Sequence, residues 1–167
     1  GFNETGRDSF RWRYTSTLPQ ITKFLQAYLQ KNQPYLVSFS SIVQMQITKR
    51  SPSGRILKLA VETDKGVVEI DKNEVRSAFE APLSTLFYLE PSTENKGLKG
   101  YAFVVGGFGH GVGLSQYGSH HLAKIGWSAE KILSFYYPGT QLQQLSNSIV
   151  FWKQPSDVAK SPFVIKR

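Results

Sequence analysis

Cysteine is absent from the 167 residues, which excludes disulfides and thiolate metal ligands and leaves the redox compartment open. No apolar run approaches the ~18 residues of a membrane-spanning helix, and no stretch reads as a secretory leader. The chain opens on Gly1 rather than methionine, so the expectation is a processed or excised piece whose export signal would lie in the missing part. Acids are in the minority, 12 against 20 lysines and arginines, for a formal net charge of +8. That balance suits polyanions, whether nucleic acid, anionic lipid or an acidic wall polymer, without choosing among them. A generic solvated basic surface is the bland alternative. Hydrophobic residues make up 40% and aromatics 13%, which excludes an intrinsically disordered chain. The length suffices for one domain with a core.

Glycine is concentrated in one place. The stretch Gly106–Gly118, GGFGHGVGLSQYG, holds six glycines in thirteen residues. Such a run weakens helix and strand alike, and what it gains is positive φ and close approach of backbone to a ligand. The strand-like run Gly100–Val105 leads in and the helix-like run Gln116–Ile125 leads out. Strand, tight loop and helix start are where backbone N–H groups and a few side chains converge on a substrate. His110, Ser115, Gln116 and Tyr117 stand here, all able to hydrogen-bond. Glycine loops are common, however, and a lone histidine is often structural. A Walker A loop would end in Gly-Lys-Ser/Thr, and Leu114-Ser115-Gln116 stands there instead. Gly111 and Gly113 flank the reversal, and at least one is expected at positive φ.

From the N-terminus, residues 1–11 read as a flexible arm. Trp12 and Tyr14 alternate with Arg11 and Arg13, either to stack on a base or sugar or to line the inner face of an edge strand. Thr17-Leu-Pro-Gln20 has the form of a capping box with proline in the first turn. Ile21, Phe24, Leu25, Tyr28 and Leu29 then recur at helical spacing up to Asn32. Val43, Met45 and Ile47 alternate as in a half-buried strand, followed by a turn at Ser51–Gly54. Leu57, Leu59 and Val61 alternate on the return, and after Asp64-Lys-Gly66 comes a third strand, Val67–Ile70. Asp71 or Asn73 caps a short helix carrying Arg76. Leu86–Leu89 reads as a strand and Pro91–Lys99 as a polar loop. Two short helices follow the glycine loop, with Leu122 and Ile125 inward on the first, Gly126 closing it and Ser128 capping the second. Residues 143–167 read as a basic tail, with Ile149–Trp152 as a candidate last strand. The pattern is one α+β domain, or the larger part of one, built on an antiparallel β meander with short helices.

Gly109-His110-Gly111-Val112-Gly113-Leu114-Ser115-Gln116-Tyr117-Gly118 resembles the signature of the SpoIID/LytB family of bacterial cell-wall proteins. The likeness continues through Leu122-Ala123, Gly126 and Ile132-Leu133 to Tyr136-Tyr137-Pro138-Gly139-Thr140. Upstream, Arg50-Ser51 with Ser53-Gly54-Arg55, then Arg76, then Ser84-Thr85-Leu86-Phe87, fall in family-like order. The resemblance covers roughly Trp12 to Leu142, so 12–142 is taken as a SpoIID-like domain lacking its N-terminal segment.

The resemblance implies a peptidoglycan lytic transglycosylase, or a relative that stimulates cell-wall amidases, and an extracytoplasmic location. A lytic transglycosylase breaks the MurNAc–GlcNAc bond without water. One carboxyl of raised pKa protonates the leaving oxygen and then accepts the proton of the sugar's 6-hydroxyl as a 1,6-anhydro ring closes. The family places this glutamate ahead of the aligned region, and no matching segment is found. Glu4, Glu80 and Glu90 have no family counterpart as the acid, so none takes the role. The expected substrate-binding set is His110, Gly111, Gly113, Ser115, Gln116, Tyr117 and Arg76, the last toward the MurNAc lactyl carboxylate or in a surface ion pair. The partners implied are peptidoglycan glycan strands, an N-terminal segment or second chain completing the domain, and a cell-wall amidase. A binding module without cleavage is the other reading. A basic nucleic-acid-binding domain, suggested by the +8 charge and the arginine–tryptophan arm, is a remote third reading, and no nucleic-acid fold signature is visible. Of the three histidines, His120 and His121 point about 100° apart on a helix, which leaves His110 and His121 as the one plausible pair. Without cysteine or a clear carboxylate partner, no metal or other cofactor is expected.

Overall fold

A computed structural model describes residues 10–95 and 97–144, with Gly6 and Asp8. Among the described residues, six strands and three α-helices follow in the order β1 (Arg11–Thr17), α1 (Leu18–Asn32), β2 (Ile42–Arg50), β3 (Ile56–Thr63), β4 (Gly66–Asp71), β5 (Phe87–Glu94), β6 (Gly97–Gly106), α2 (Gln116–Lys124) and α3 (Ala129–Tyr136). Short 3-10 turns lie at Pro34–Leu36 and Lys72–Arg76. The strands form two antiparallel three-stranded sheets, ordered β1-β6-β5 and β2-β3-β4. The second is the expected meander; the first places β6 between its neighbour in sequence, β5, and the N-terminal β1. The fold is α+β.

α1 forms where the sequence signals it. Thr17 accepts from the Gln20 backbone N–H while the Gln20 side chain accepts from the Thr17 backbone, a complete capping box. Ile21, Leu25 and Leu29 make its buried stripe, and Phe24 is left at the edge. The helix lies against β1 and β6. One core joins it to Phe87, Phe103 and Val105 of the first sheet and to Ile56, Leu59, Val61 and Ile70 of the second. Phe103 packs its ring against Phe79 and Phe87, with centroids 5.8 and 5.5 Å apart. The buried Tyr101 of β6 ties the sheets polarly: its hydroxyl accepts the Met45 N–H at 2.8 Å.

Trp12 and Tyr14 lie on the edge strand β1, half-buried against the core. Three local expectations are corrected. A bulge between Ile42 and Gln44 breaks the alternation of β2, so Ile42 and Met45 are buried and Val43 is exposed. On β3 the deeply buried set is Ile56, Leu59 and Val61, with Leu57 half-buried. Residues expected as a polar loop, Pro91–Lys99, mostly extend β5 and β6 into a hairpin, in which Pro91 pairs Tyr101 and Glu94 pairs Gly97. Both faces of that extension are largely solvated, so no apolar alternation announces it. The run Ile149–Trp152 lies outside the described residues.

Candidate functional site

The loop after β6 is held by a short segment remote in sequence. Ser84 and Thr85 are buried polar residues, and both spend their hydroxyls on the loop. Ser84 Oγ donates to the Gly106 carbonyl at 2.8 Å and Thr85 Oγ1 to the His110 carbonyl at 2.9 Å. Backbone bonds run beside them, from Gly106 N to Leu86 O at 2.8 Å and from Gly109 N to Leu83 O at 2.7 Å. Across the loop, Gly107 N donates to Phe10 O at 3.0 Å, Trp12 Nε1 donates to Gly107 O at 3.2 Å, and the Trp12 ring stacks on Phe108 at 5.3 Å. Trp12 is therefore engaged by the loop. Phe10, expected in the arm, borders the site.

Gly107, Gly109 and Gly111 adopt φ of 63°, 92° and 69°, the left-handed region that glycine enters without a Cβ penalty. Gly113 does not. A Cβ on Gly111 would also overlap the Arg55 guanidinium, and one on Gly113 would come within 2.7 Å of the Tyr137 hydroxyl. The loop's exit is pinned by α3: Tyr137 Oη accepts from Leu114 N at 3.1 Å, and the Tyr136 hydroxyl occupies the space a Cβ on Gly118 would take. Ser115 caps α2 by accepting from Gly118 N at 3.1 Å. Ser128 caps α3 in the same way through Lys131 N, and Gly126 follows α2 at φ 88°. Ile125, expected to pack inward, is 59% exposed, leaving Leu122 as the inward apolar anchor of α2.

The structure brings all the candidate residues to one cavity of about 590 Å³. His110, Gly111, Gly113, Ser115, Gln116, Tyr117 and Arg76 border it. Val112 N donates to His110 Nδ1 at 3.0 Å, so in the neutral ring the proton sits on Nε2, which can donate to a ligand. Arg76 is anchored by donating from Nε to Leu83 O at 3.2 Å and from a terminal nitrogen to Asn73 Oδ1 at 3.0 Å. Among the described residues it has no carboxylate partner, so the expected alternative of a surface ion pair is not what holds it. A second cavity of about 540 Å³ adjoins the first, sharing Phe10, Gly107, Ser115 and Arg55. Its walls are Leu86 just ahead of β5, Tyr88 and Val104 from the first sheet, and Phe135 and Tyr136 from α3.

Arg55 is what the sequence reading passed over as a site residue. It was visible only as part of Ser53-Gly54-Arg55, with no periodic signal to mark its side chain. It is half-buried, and a terminal nitrogen donates to Thr85 Oγ1 at 2.9 Å. Burial lowers its pKa below the usual guanidinium value. Among the described residues no acid lines either cavity. Glu80 bonds the Tyr14 hydroxyl, raising that phenol's pKa, and Glu90 pairs with Arg13. Both acids are thus engaged on β1, and Glu4 lies outside the described residues. Among the described residues no three of His, Cys, Asp and Glu gather in metal-binding geometry, and no helix is long and apolar enough to cross a membrane.

A family model described as Domain of unknown function (DUF8618) matches residues 1–113. Among curated proteins, the chain is similar to an amidase enhancer of Bacillus subtilis (strain 168), 34% identical over 114 residues, 64% of this chain and 16% of that protein. It is also similar to Stage II sporulation protein D of the same organism, 53% identical over 38 residues, 23% of this chain and 11% of that protein. The Bacillus amyloliquefaciens protein of that name is 47% identical over 38 residues, with the same coverage of 23% and 11%. The chain thus spans 16% or less of the length of these relatives.

Proposed function

Since the chain belongs to the family described as Domain of unknown function (DUF8618) and is SpoIID/LytB-like, we propose that it supplies the glycan-holding cleft of an extracytoplasmic bacterial cell-wall protein. The observation that carries this reading is the convergence of His110, Gln116, Ser115, Tyr117 and the glycine backbone on one open cavity. Hydrogen-bonding groups beside an exposed aromatic suit a sugar, which offers hydroxyls at its edge and C–H groups on its face. Residues 12–142 are taken as the unit that does this.

Cleavage requires more. Transglycosylation needs a carboxyl to protonate the glycosidic oxygen and then take the proton of the 6-hydroxyl, and no carboxylate of the described residues lines the cavity. In this reading the acid comes from outside the described residues, and His110 orients the sugar or that acid through Nε2. The second reading, a module that holds glycan or enhances a cell-wall amidase without cutting, rests on the same lack of a carboxylate among the described residues and on the similarity to an amidase enhancer.

The test is incubation of the chain with peptide-stripped glycan strands, read by co-sedimentation and mass spectrometry. Retention of strands without anhydro-sugar products is expected from this chain, with cleavage appearing once an acid-bearing segment is supplied. His110→Ala should then lower the restored rate. Brisk anhydro-product formation by the chain itself would overturn the assignment of the acid, and absence of any strand binding would overturn the cleft.

A further inference from the structure

The cation inventory of the molecule is uneven. Arg13, Lys58 and Lys99 are exposed and each meets a carboxylate. Arg50 spends its guanidinium on the Gly54 and Phe87 carbonyls, both at 2.7 Å, and lies over the Tyr88 ring. Arg55 differs from all of these. It is half-buried, it borders both cavities, and none of the described carboxylates pairs with it. Among the described residues its guanidinium hydrogen-bonds one group, Thr85 Oγ1, a neutral hydroxyl that in turn bonds the His110 carbonyl. Taking a guanidinium partly out of water without a counter-charge is unfavourable, yet the surroundings keep it there. Gly111 leaves the room it fills, since a Cβ would overlap the guanidinium.

From this arrangement we infer that Arg55 is the receptor for a carboxylate carried by the glycan, with Arg76 as a second positive group on the same cavity. The inference rests on the glycan reading above and narrows its substrate class: strands of acidic sugars, against neutral N-acetylglucosamine polymers. A guanidinium presents a planar fork of donors matched to a carboxylate. The Thr85 bond fixes one edge of that fork and with it the direction of the rest. Arg76, held by Leu83 O and Asn73 Oδ1, adds charge to the same cavity from the Lys72–Arg76 turn. The N-terminus of α2, whose residues Ser115–Tyr117 border the cavity, contributes a positive end of the same sign. The carboxylate has two sources in a wall glycan: the bare lactyl group of a peptide-stripped strand, or the stem peptide of an intact one.

Binding of the full chain to four probes by calorimetry distinguishes the outcomes. The probes are peptide-stripped strands, the same strands with carboxyls converted to methylamides, peptide-bearing strands, and chitopentaose. Neutralising the carboxyls should weaken binding by about tenfold or more, as expected for loss of a charge-assisted bond, and chitopentaose should bind as weakly as the neutralised strands. Arg55→Gln should bind charged and neutralised strands alike, Arg55→Lys should retain part of the preference, and Arg76→Gln should reduce it less. Tighter binding of stripped strands assigns the lactyl carboxylate, and tighter binding of intact strands the stem peptide. Equal affinity of the unmodified protein for charged and neutralised strands overturns the inference while leaving the glycan cleft standing. That comparison needs no variant to fold. A full preference retained by Arg55→Gln also overturns it. Failure of all four probes to bind overturns the cleft and the inference together.

Discussion

The first helix and the last two are held to the molecule by different physics. α1 is fixed by burial: Leu25 and Leu29 are 0% exposed and sit in the core shared by both sheets. α2 and α3 each bury one apolar side chain, Leu122 at 6% and Ile132 at 7% exposure. Between them and the first sheet lies a cavity. What fixes them instead is a set of hydroxyls, with Ser115 and Ser128 at the helix starts and Tyr136 and Tyr137 over the loop and α2. Burial is non-directional and cumulative, whereas a few hydrogen bonds of about 1 kcal/mol each place groups without adding much stability. The sheets and α1 thus carry the stability, and the loop with α2 and α3 carries geometry at the low-stability end of the molecule.

The largest effect that sharpens this contrast should come from the core. Leu59→Ala, at a fully buried position of β3, should cost about 2–5 kcal/mol in urea unfolding. Tyr101→Phe should follow at about 1–3 kcal/mol, because it strips the buried Met45 N–H of its partner. At the site, Gly111→Ala should cost about 1–2 kcal/mol for its left-handed backbone, and should also displace Arg55 and so weaken strand binding more than it lowers the melting temperature. Tyr137→Phe should shift global stability by only about 1 kcal/mol while speeding amide exchange at Leu114, whose N–H it frees. If Tyr137→Phe destabilised the protein as much as Leu59→Ala, the division between the two regions would be wrong.

The smallest effect is a pH dependence. Asp64 accepts from Ser40 N, Ser40 Oγ and Ser41 N, which pulls its pKa from 3.8 down to about 2. Its contribution is therefore complete above the unfolded value near 4 and is lost as pH falls toward 2. Asp64→Asn should flatten the loss of stability across that window and leave the behaviour of α2 and α3 unchanged.

Local chemistry alone determined several parts of this protein. The Thr17–Gln20 capping box, the Ile21-Leu25-Leu29 stripe, the Asp64–Gly66 turn, the Ser128 cap and the positive φ of Gly111 and Gly126 are all decided within a few residues of chain. The sequence also named the loop whose residues border one cavity, because a glycine run around a histidine is a local departure from helix and strand. Three things needed the fold. The β2 bulge that turns Val43 outward is set by pairing with β3. The Pro91–Lys99 hairpin exists because β6 already lies against β1 and can template β5, although its own residues are polar. Arg55 becomes a site residue only when the Ser84–Leu86 segment, some thirty positions along the chain, brings His110 and Gly111 to its guanidinium. Periodicity reports which face of an element is apolar; it carries no information about which distant charge will be left without a counter-charge, since that depends on everything packed around it.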